Sequence, residues 1–132
     1  MQMSEQVTAV TEVDSAGGTG SARITRVAEG RKRIRVSATG TFGAGIGRVD
    51  FVLVDLASEQ PATVMDRLDV DYAPPLLKKV SETWTTSASL APGRTYRAFF
   101  HVYDRSGTNL VAYDRRDFTC ILSGPGEREV ER

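Results

Sequence analysis

Regular alternation of apolar and polar side chains is the feature of this chain that most restricts its fold. Between residues 33 and 42, every second residue is apolar or glycine, and the residues between them are arginine, serine or threonine. Because side chains of a β-strand point alternately to opposite faces, this pattern predicts a strand with one face in a core and the other in water. Apolar spacing of three, four and seven residues is not sustained over helical length anywhere in the chain. The sequence therefore predicts an all-β protein.

Further segments alternate in the same way, with turn residues between them. We predict additional strands at 7–13, 22–28, 48–56, 63–72, 83–90, 94–103 and 110–122. The charged run 114–117 breaks the alternation of the last segment, which predicts a bulge or a bend there. Seven to nine short strands separated by turns predict a two-sheet antiparallel sandwich. We assign residues 1–123 to this domain and expect the polar segment 124–132 to be a disordered tail.

Charge and composition exclude several classes of partner. Seventeen Lys and Arg balance seventeen Asp and Glu, so the chain lacks the positive field of a nonspecific nucleic-acid or anionic-membrane binder. No segment reaches the roughly 20 apolar residues of a membrane-spanning helix. Cys120 is the one cysteine, and no signal peptide is visible. We therefore expect no nucleic-acid or membrane partner and a cytoplasmic location, or an extracellular one if the chain is part of a longer protein.

Two segments resemble known sandwich domains. The segment 90–100 (LAPGRTYRAFF) resembles the corner between strands E and F of fibronectin type III domains, and 34–56 is similar to the B-to-C region of bacterial immunoglobulin-like repeats. The first resemblance implies that Tyr96 packs its ring in the core and bonds its hydroxyl to a nearby backbone group. Trp84 alternates with polar neighbours and is expected to anchor the core. Both resemblances imply an immunoglobulin-like sandwich fold, and this superfamily carries many functions.

The residue inventory offers little for catalysis. His101 is the only histidine, and hairpin pairing sets it about 25 Å from Cys120, so a Cys-His dyad is not expected. The glycine-rich segment 43–47 precedes a strand instead of a helix, which predicts a loop and not a phosphate cradle. The three aspartates between residues 66 and 71 match no calcium loop and are interpreted as solvated carboxylates. We predict no catalytic residue, metal or cofactor.

Strand parity predicts one unusual surface. If Ala98, Phe100 and Val102 face the core, their neighbours project from the opposite side of the sheet. The predicted binding residues are Phe99, His101, Tyr103, Arg97, Val52 and Val54. The strands at 33–42 and 83–90 carry only small or charged residues outward, so the two sheets should differ. The alternative is that the segment 57–79 folds over this surface and buries it.

These observations favour a non-catalytic interaction module that binds a protein partner, or a second copy of itself as a homo-oligomer, through the aromatic face of one sheet. A second hypothesis is a small closed barrel, a cyclase or carrier, with an apolar ligand among its aromatic residues. A third is a carbohydrate-binding domain that stacks sugars on Phe99 or Tyr103.

Overall fold

The computed structural model describes residues 11–12, 19–29, 33–56, 63–87, 90–120 and 128–129. Within these ranges the regular structure consists of strands alone. The nine strands are β1 (Thr11–Glu12), β2 (Gly20–Glu29), β3 (Ile34–Phe42), β4 (Arg48–Asp55), β5 (Thr63–Asp71), β6 (Lys79–Thr85), β7 (Thr95–Tyr103), β8 (Leu110–Thr119) and β9 (Arg128–Glu129). The all-β prediction is confirmed, although β6 begins four residues before the predicted segment 83–90 and ends at Thr85.

The strands form two antiparallel sheets. The first has the order β1-β8-β7-β4-β5 and the second the order β6-β3-β2-β9. No ladder joins the two sheets in the described ranges, and the two-sheet sandwich is therefore confirmed. The alternative of a closed barrel is wrong for this chain, because a barrel requires one sheet that pairs with itself.

The core lies between the sheets and follows the predicted alternation. Along β3 and β7 every second residue is buried, and Trp84 and Tyr96 are both buried as predicted. The Phe51 ring lies 5.5 Å from Trp84 and 5.0 Å from Phe100, measured between ring centroids. These aromatic side chains pack on one another in the core between the sheets.

Tyr96 is the second residue of β7 and lies next to the turn that precedes this strand. Its hydroxyl accepts a hydrogen bond from the backbone N–H of Ala91 at 2.8 Å, and its ring stacks on Phe118 at 5.7 Å. This confirms the role expected of Tyr96, with a buried ring and a hydroxyl bonded to nearby backbone.

The charged run in β8 does not interrupt the strand, and the predicted bulge at 114–117 is wrong. The register with β7 is regular from Thr119 to Ala112, and the irregularity lies at the start of β8. Asp114 and Arg116 face inward, where they meet the backbone of β2: the Asp114 Oδ2 accepts the N–H of Ile24 at 2.7 Å, and Arg116 donates to the Ile24 carbonyl at 3.0 Å. The two charges complete hydrogen bonds at the border of the opposite sheet.

The loop 43–47, predicted from its glycines, connects β3 to β4 and packs against the β7–β8 connection. Gly47 donates its N–H to the Asp104 carbonyl, and a Cβ there would lie 2.4 Å from the Arg105 carbonyl oxygen. Only glycine fits this close approach. In the β7–β8 connection, burial acts to raise the pKa of Asp104, but hydrogen bonds from Ser106 and Asn109 outweigh it and lower the pKa to about 2.

Some sequence predictions lie outside the described residues. Of the predicted strand 7–13, the structure describes only Thr11–Glu12, which pair with β8. Of the segment 124–132, it describes only Arg128–Glu129, which pair with β2. Within the described ranges, no helix has the length and apolar character needed to cross a lipid bilayer.

Asp114→Ala is expected to lower the free energy of unfolding by about 1–3 kcal/mol, because it leaves the buried N–H of Ile24 without its carboxylate acceptor. Chemical denaturation checks this value. Asp117→Ala, on the same strand but exposed, serves as the control and should cost less than about 1 kcal/mol. Equal losses for the two variants would contradict the role given to Asp114.

Candidate functional site

The candidate site lies on the outer face of the five-stranded sheet, over β4, β7 and β8. His101 on β7 pairs with Asp50 on β4 and with Tyr113 on β8, and Val52 pairs with Phe99. We call the four half-buried ring residues Phe99, His101, Tyr103 and Tyr113 the ring face. Alternation along β7 brings three of them to this side because Ala98, Phe100 and Val102 fill the core.

The structure brings all six predicted binding residues to this outer face. Arg97, Phe99, His101 and Tyr103 lie along β7, and Val52 and Val54 lie beside them on β4. Val54 is buried, with 8% of its surface exposed, and offers little contact area. Within the described part of the segment 57–79, β5 extends the sheet beside β4 instead of folding over the face.

The two outer faces of the sandwich differ as predicted. On the second sheet, neighbouring strands present hydroxyl groups to each other, with Ser37 and Thr83 at 3.1 Å and Thr39 and Ser81 at 3.2 Å. On the first sheet, the rings are in contact instead. Aromatic side chains therefore concentrate on one side of the molecule.

His101 lies at the centre of the ring face. Its ring stacks on Phe99 with centroids 5.5 Å apart and planes 11° from parallel. Tyr103 and Tyr113 flank it at 6.3 Å and 6.1 Å in tilted arrangements. The rings support one another laterally, which restricts the rotamers available to each.

Asp50 lies beneath these rings and forms hydrogen bonds with two of them. It belongs to the outer face of the sheet, yet its side chain is 1% exposed. Its carboxylate is 2.6 Å from His101 Nδ1 and accepts the Tyr103 hydroxyl at 3.0 Å. Arg67 and Arg48 lie farther away, at 3.4 Å and 3.5 Å.

The two arginines connect this carboxylate to the edge of the sheet. Arg48 and Arg67 both contact Asp69 on β5, at 3.2 Å and 3.1 Å. The guanidinium of Arg48 also lies over the Tyr103 ring, 5.0 Å from its centroid, as in a cation–π contact. Two carboxylates and two guanidinium groups thus form a balanced cluster beside the rings.

The surrounding charges and hydrogen bonds shift the pKa values of Asp50 and Tyr103. Burial acts to raise the pKa of Asp50, but the hydrogen bond and charge of His101, the Tyr103 hydroxyl and the charge of Arg67 outweigh it, so the pKa lies below the ordinary value. Burial, with the Asp50 charge and hydrogen bond, raises the pKa of Tyr103 to about 12. At neutral pH Asp50 is therefore an anion that accepts hydrogen bonds from both Tyr103 and His101 Nδ1–H.

This geometry orients side chains but does not assemble a nucleophile. In the part of the chain that the structure describes, Asp50 is the only hydrogen-bond partner of His101. Cys120 lies seven residues beyond Tyr113, which pairs with His101, a distance on the order of 23 Å along an extended strand. No group of three or more His, Cys, Asp or Glu side chains that could hold a metal ion occurs among the described residues.

The sequence analysis missed four contributors to this site: Asp50, Arg48, Arg67 and Tyr113. Asp50 carried a signal, because it is the only carboxylate on the outward parity of a central strand whose other outward residues include Val52 and Val54. Tyr113 was missed because the last strand was interpreted as interrupted. The partners of Asp50 on the two neighbouring strands are distant in sequence, so no local sequence pattern predicts these contacts.

Comparisons with known proteins support the fold alone. No family model matches the chain, and no curated protein matches it. Among solved structures, the chain is similar to catalytically inactive OgpA from Akkermansia muciniphila in complex with an O-glycopeptide substrate, glycodrosocin, with a TM-score of 0.53 and 10% identity over 85% of this chain and 31% of that one. Wild-type OgpA gives a TM-score of 0.51 and 12% identity over 85% of this chain and 30% of that one.

A further solved structure, a Niemann-Pick type C2 protein from Japanese carpenter ant, has a TM-score of 0.39 and 11% identity over 85% of this chain and 87% of that one. This match is too weak to carry an argument. The chain spans about a third of the length of OgpA. At these identities, the OgpA likeness establishes only a shared sandwich architecture.

Asp50→Asn is expected to lower the free energy of unfolding at pH 7 by about 1–3 kcal/mol, because the buried amide cannot replace the charge-assisted bonds to His101 and Tyr103. The lowered pKa of Asp50 sets the sign of the pH dependence. Its contribution is complete above the unfolded pKa of about 3.9 and disappears as the pH falls through the lower folded pKa.

Denaturation curves of wild type and Asp50→Asn should therefore converge as the pH falls below about 4. Asp71→Asn makes the same change at an exposed position of β5 and serves as the control. It should leave the stability at pH 7 within about 0.5 kcal/mol. A constant difference between wild type and Asp50→Asn at all pH values would contradict the assignment.

Proposed function

We propose that this chain is a non-catalytic interaction module and that its ring face binds a protein partner. The observation that carries the proposal is the buried Asp50 carboxylate, which holds His101 and Tyr103 in place within a row of half-exposed rings. A surface whose side chains are already ordered loses little conformational entropy on binding. In the ring face, the hydrogen bonds of Asp50 already order His101 and Tyr103.

The composition of the surface fits a protein interface. Aromatic residues and arginine are enriched at such interfaces, and the aromatic side chains there carry much of the binding energy. At one end of the ring face, the half-buried Arg97 and the exposed Asp117 form a bidentate pair with distances of 2.6 Å and 3.0 Å. At the other end lies the cluster of Arg48, Arg67 and Asp69. Apolar rings between polar ends resemble the core and rim of a protein interface.

A carbohydrate is the second candidate ligand, since sugars also stack on aromatic rings. Stacking on a sugar requires a free ring face. Phe99 and His101 are nearly parallel and stacked on each other, so each covers one face of its neighbour. This arrangement favours a protein partner over a glycan, and the experiment below distinguishes the two.

For the fold family, we infer an immunoglobulin-like domain related to fibronectin type III. The Tyr96 hydroxyl bonded to Ala91, with the ring packed on Phe118, supports this inference.

The double variant Phe99→Ser with Tyr113→Ser tests the ring face, because both residues make ring contacts there and neither bonds to Asp50. We expect capture of the partner from a lysate of the source organism to fall at least about tenfold, with a thermal midpoint within a few degrees of wild type. Thr39→Ala with Thr83→Ala, on the outer face of the other sheet, is the control and should capture normally.

A second pair of substitutions, Phe99→Leu with Tyr113→Leu, separates protein from glycan. Leucine keeps apolar area but lacks a flat π face, so a protein partner should still bind while stacking on a sugar should be lost. Glycan-array binding by wild type that the leucine variant abolishes would replace the protein partner with a carbohydrate. A large fall in the thermal midpoint of the serine variant with unchanged capture would mean that the rings are internal packing, and the proposal would be abandoned.

A further inference from the structure

The polar atoms of the ring face have a fixed hydrogen-bonding polarity, because Asp50 uses two of their protons. The Asp50 Oδ1 lies 2.6 Å from His101 Nδ1, and its Oδ2 accepts the Tyr103 hydroxyl at 3.0 Å. An ionised carboxylate has lone pairs but no proton, so both of its partners must donate. Asp50 is ionised at neutral pH because its pKa lies below the ordinary value.

The carboxylate therefore selects the tautomer of His101. A neutral imidazole carries one proton, and the hydrogen bond made by one ring nitrogen decides which nitrogen holds it. With the proton on Nδ1, Nε2 keeps its lone pair and is an acceptor. Nε2 lies on the other side of the ring from the contact with Asp50, and no described residue forms a hydrogen bond with it. The centre of the ring face thus carries an acceptor that has no partner within the described ranges.

Tyr103 has the same polarity for the same reason. Its pKa is raised to about 12, so the hydroxyl keeps its proton at neutral pH and donates it to Asp50. The Tyr103 oxygen then has only lone pairs for other contacts. Phe99 has no polar atom, and the Tyr113 hydroxyl can rotate its proton to act as donor or acceptor. His101 and Tyr103 therefore present acceptors to a partner.

This polarity restricts what a partner can place on His101. The His101 side chain is 22% exposed and lies among rings, so the complementary group is a donor on an apolar body. Hydroxyl, amide and peptide groups bring an acceptor together with their donor, and burying both requires a second complementary group. Lysine and arginine bring a charge, which costs desolvation beside a cluster that is already balanced. The indole of tryptophan has a large apolar surface, one N–H donor and no acceptor.

We propose that the partner protein places a tryptophan on the ring face, and that the indole N–H donates a hydrogen bond to His101 Nε2. This inference rests on the proposed function, because it names the group through which the protein partner binds. The indole ring packs against Phe99 and Tyr113, which lie on either side of His101. Tryptophan is enriched among the residues that carry most of the binding energy of protein interfaces.

Nuclear magnetic resonance of the imidazole nitrogens measures the tautomer directly, because His101 is the only histidine of the chain. In wild type at neutral pH, Nδ1 should give the signal of a protonated nitrogen and Nε2 that of an unprotonated one. A proton on Nε2 at neutral pH would overturn the proposal, since Nε2 would then be a donor.

Asp50→Asn should move the imidazole proton. In the described ranges, the Asp50 Oδ2 contacts Tyr103, Arg48 and Arg67, whereas Oδ1 contacts His101 alone. The carbonyl oxygen of the new amide therefore takes the position of Oδ2, and its NH2 group donates to His101 Nδ1. The proton then resides on Nε2, which becomes a donor. The same nitrogen signals report this exchange.

Titration with N-acetyl-tryptophanamide measures the binding. This probe should bind wild type in the millimolar range and shift the Nε2 signal of His101. Its analogue with a methylated indole nitrogen keeps the rings but lacks the N–H, and should bind at least about fivefold more weakly because Nε2 is left unpaired. Asp50→Asn, shown to be folded by circular dichroism, should weaken binding of N-acetyl-tryptophanamide by a similar factor. Thr39→Ala with Thr83→Ala, on the other sheet, should bind it like wild type.

Equal affinity for the two indoles, or an Nε2 signal that does not move up to the solubility limit of N-acetyl-tryptophanamide, would overturn the proposal. Capture from the lysate separates this result from the proposed function. If Phe99→Ser with Tyr113→Ser loses the partner although neither indole binds wild type, the ring face binds a protein through another group. The proposed function then stands, and the tryptophan is wrong.

Discussion

The carboxylate of Asp50 determines how three strands are joined on the outer side of the sheet. An ion with almost no exposed surface requires compensation, and it receives hydrogen bonds from His101 and Tyr103 on β7 and charge from Arg67 on β5. The same contacts that offset its burial also order the rings above it. The side chains of the ring face are therefore held in fixed positions because Asp50 buries its charge on the outer face of the sheet.

Asp114 obeys the same requirement on the opposite side of the same sheet. It faces inward, at the border of the sandwich, and the backbone N–H of Ile24 compensates its charge. One carboxylate stabilises a surface, and the other holds two sheets together. The difference follows from strand parity, which directs Asp50 outward and Asp114 toward the opposite sheet.

Local pattern predicted most of the fold and part of the site. Alternation depends on residues two positions apart, so it can be recognised in the sequence. It predicted the strands, the burial of Trp84 and Tyr96, and the side of the sheet on which Phe99 lies. The pairing of Asp50 with His101 joins residues 51 positions apart, and its register depends on tertiary structure. The charges in β8 were misinterpreted for the same reason, because their partner Ile24 lies about 90 residues earlier in the chain.

The order of the strands has a consequence for folding kinetics. The chain forms β2 and β3 of one sheet, crosses to β4 and β5 of the other, returns for β6 and then crosses again to β7 and β8. Neither sheet is complete until the chain has begun the other, and the β3–β6 and β4–β7 ladders both close long loops. Loop closure costs entropy before these contacts form, so the topology sets a slow folding time of about milliseconds to seconds. Until β6 and β7 dock, the apolar faces of β3 and β4 remain open to other chains.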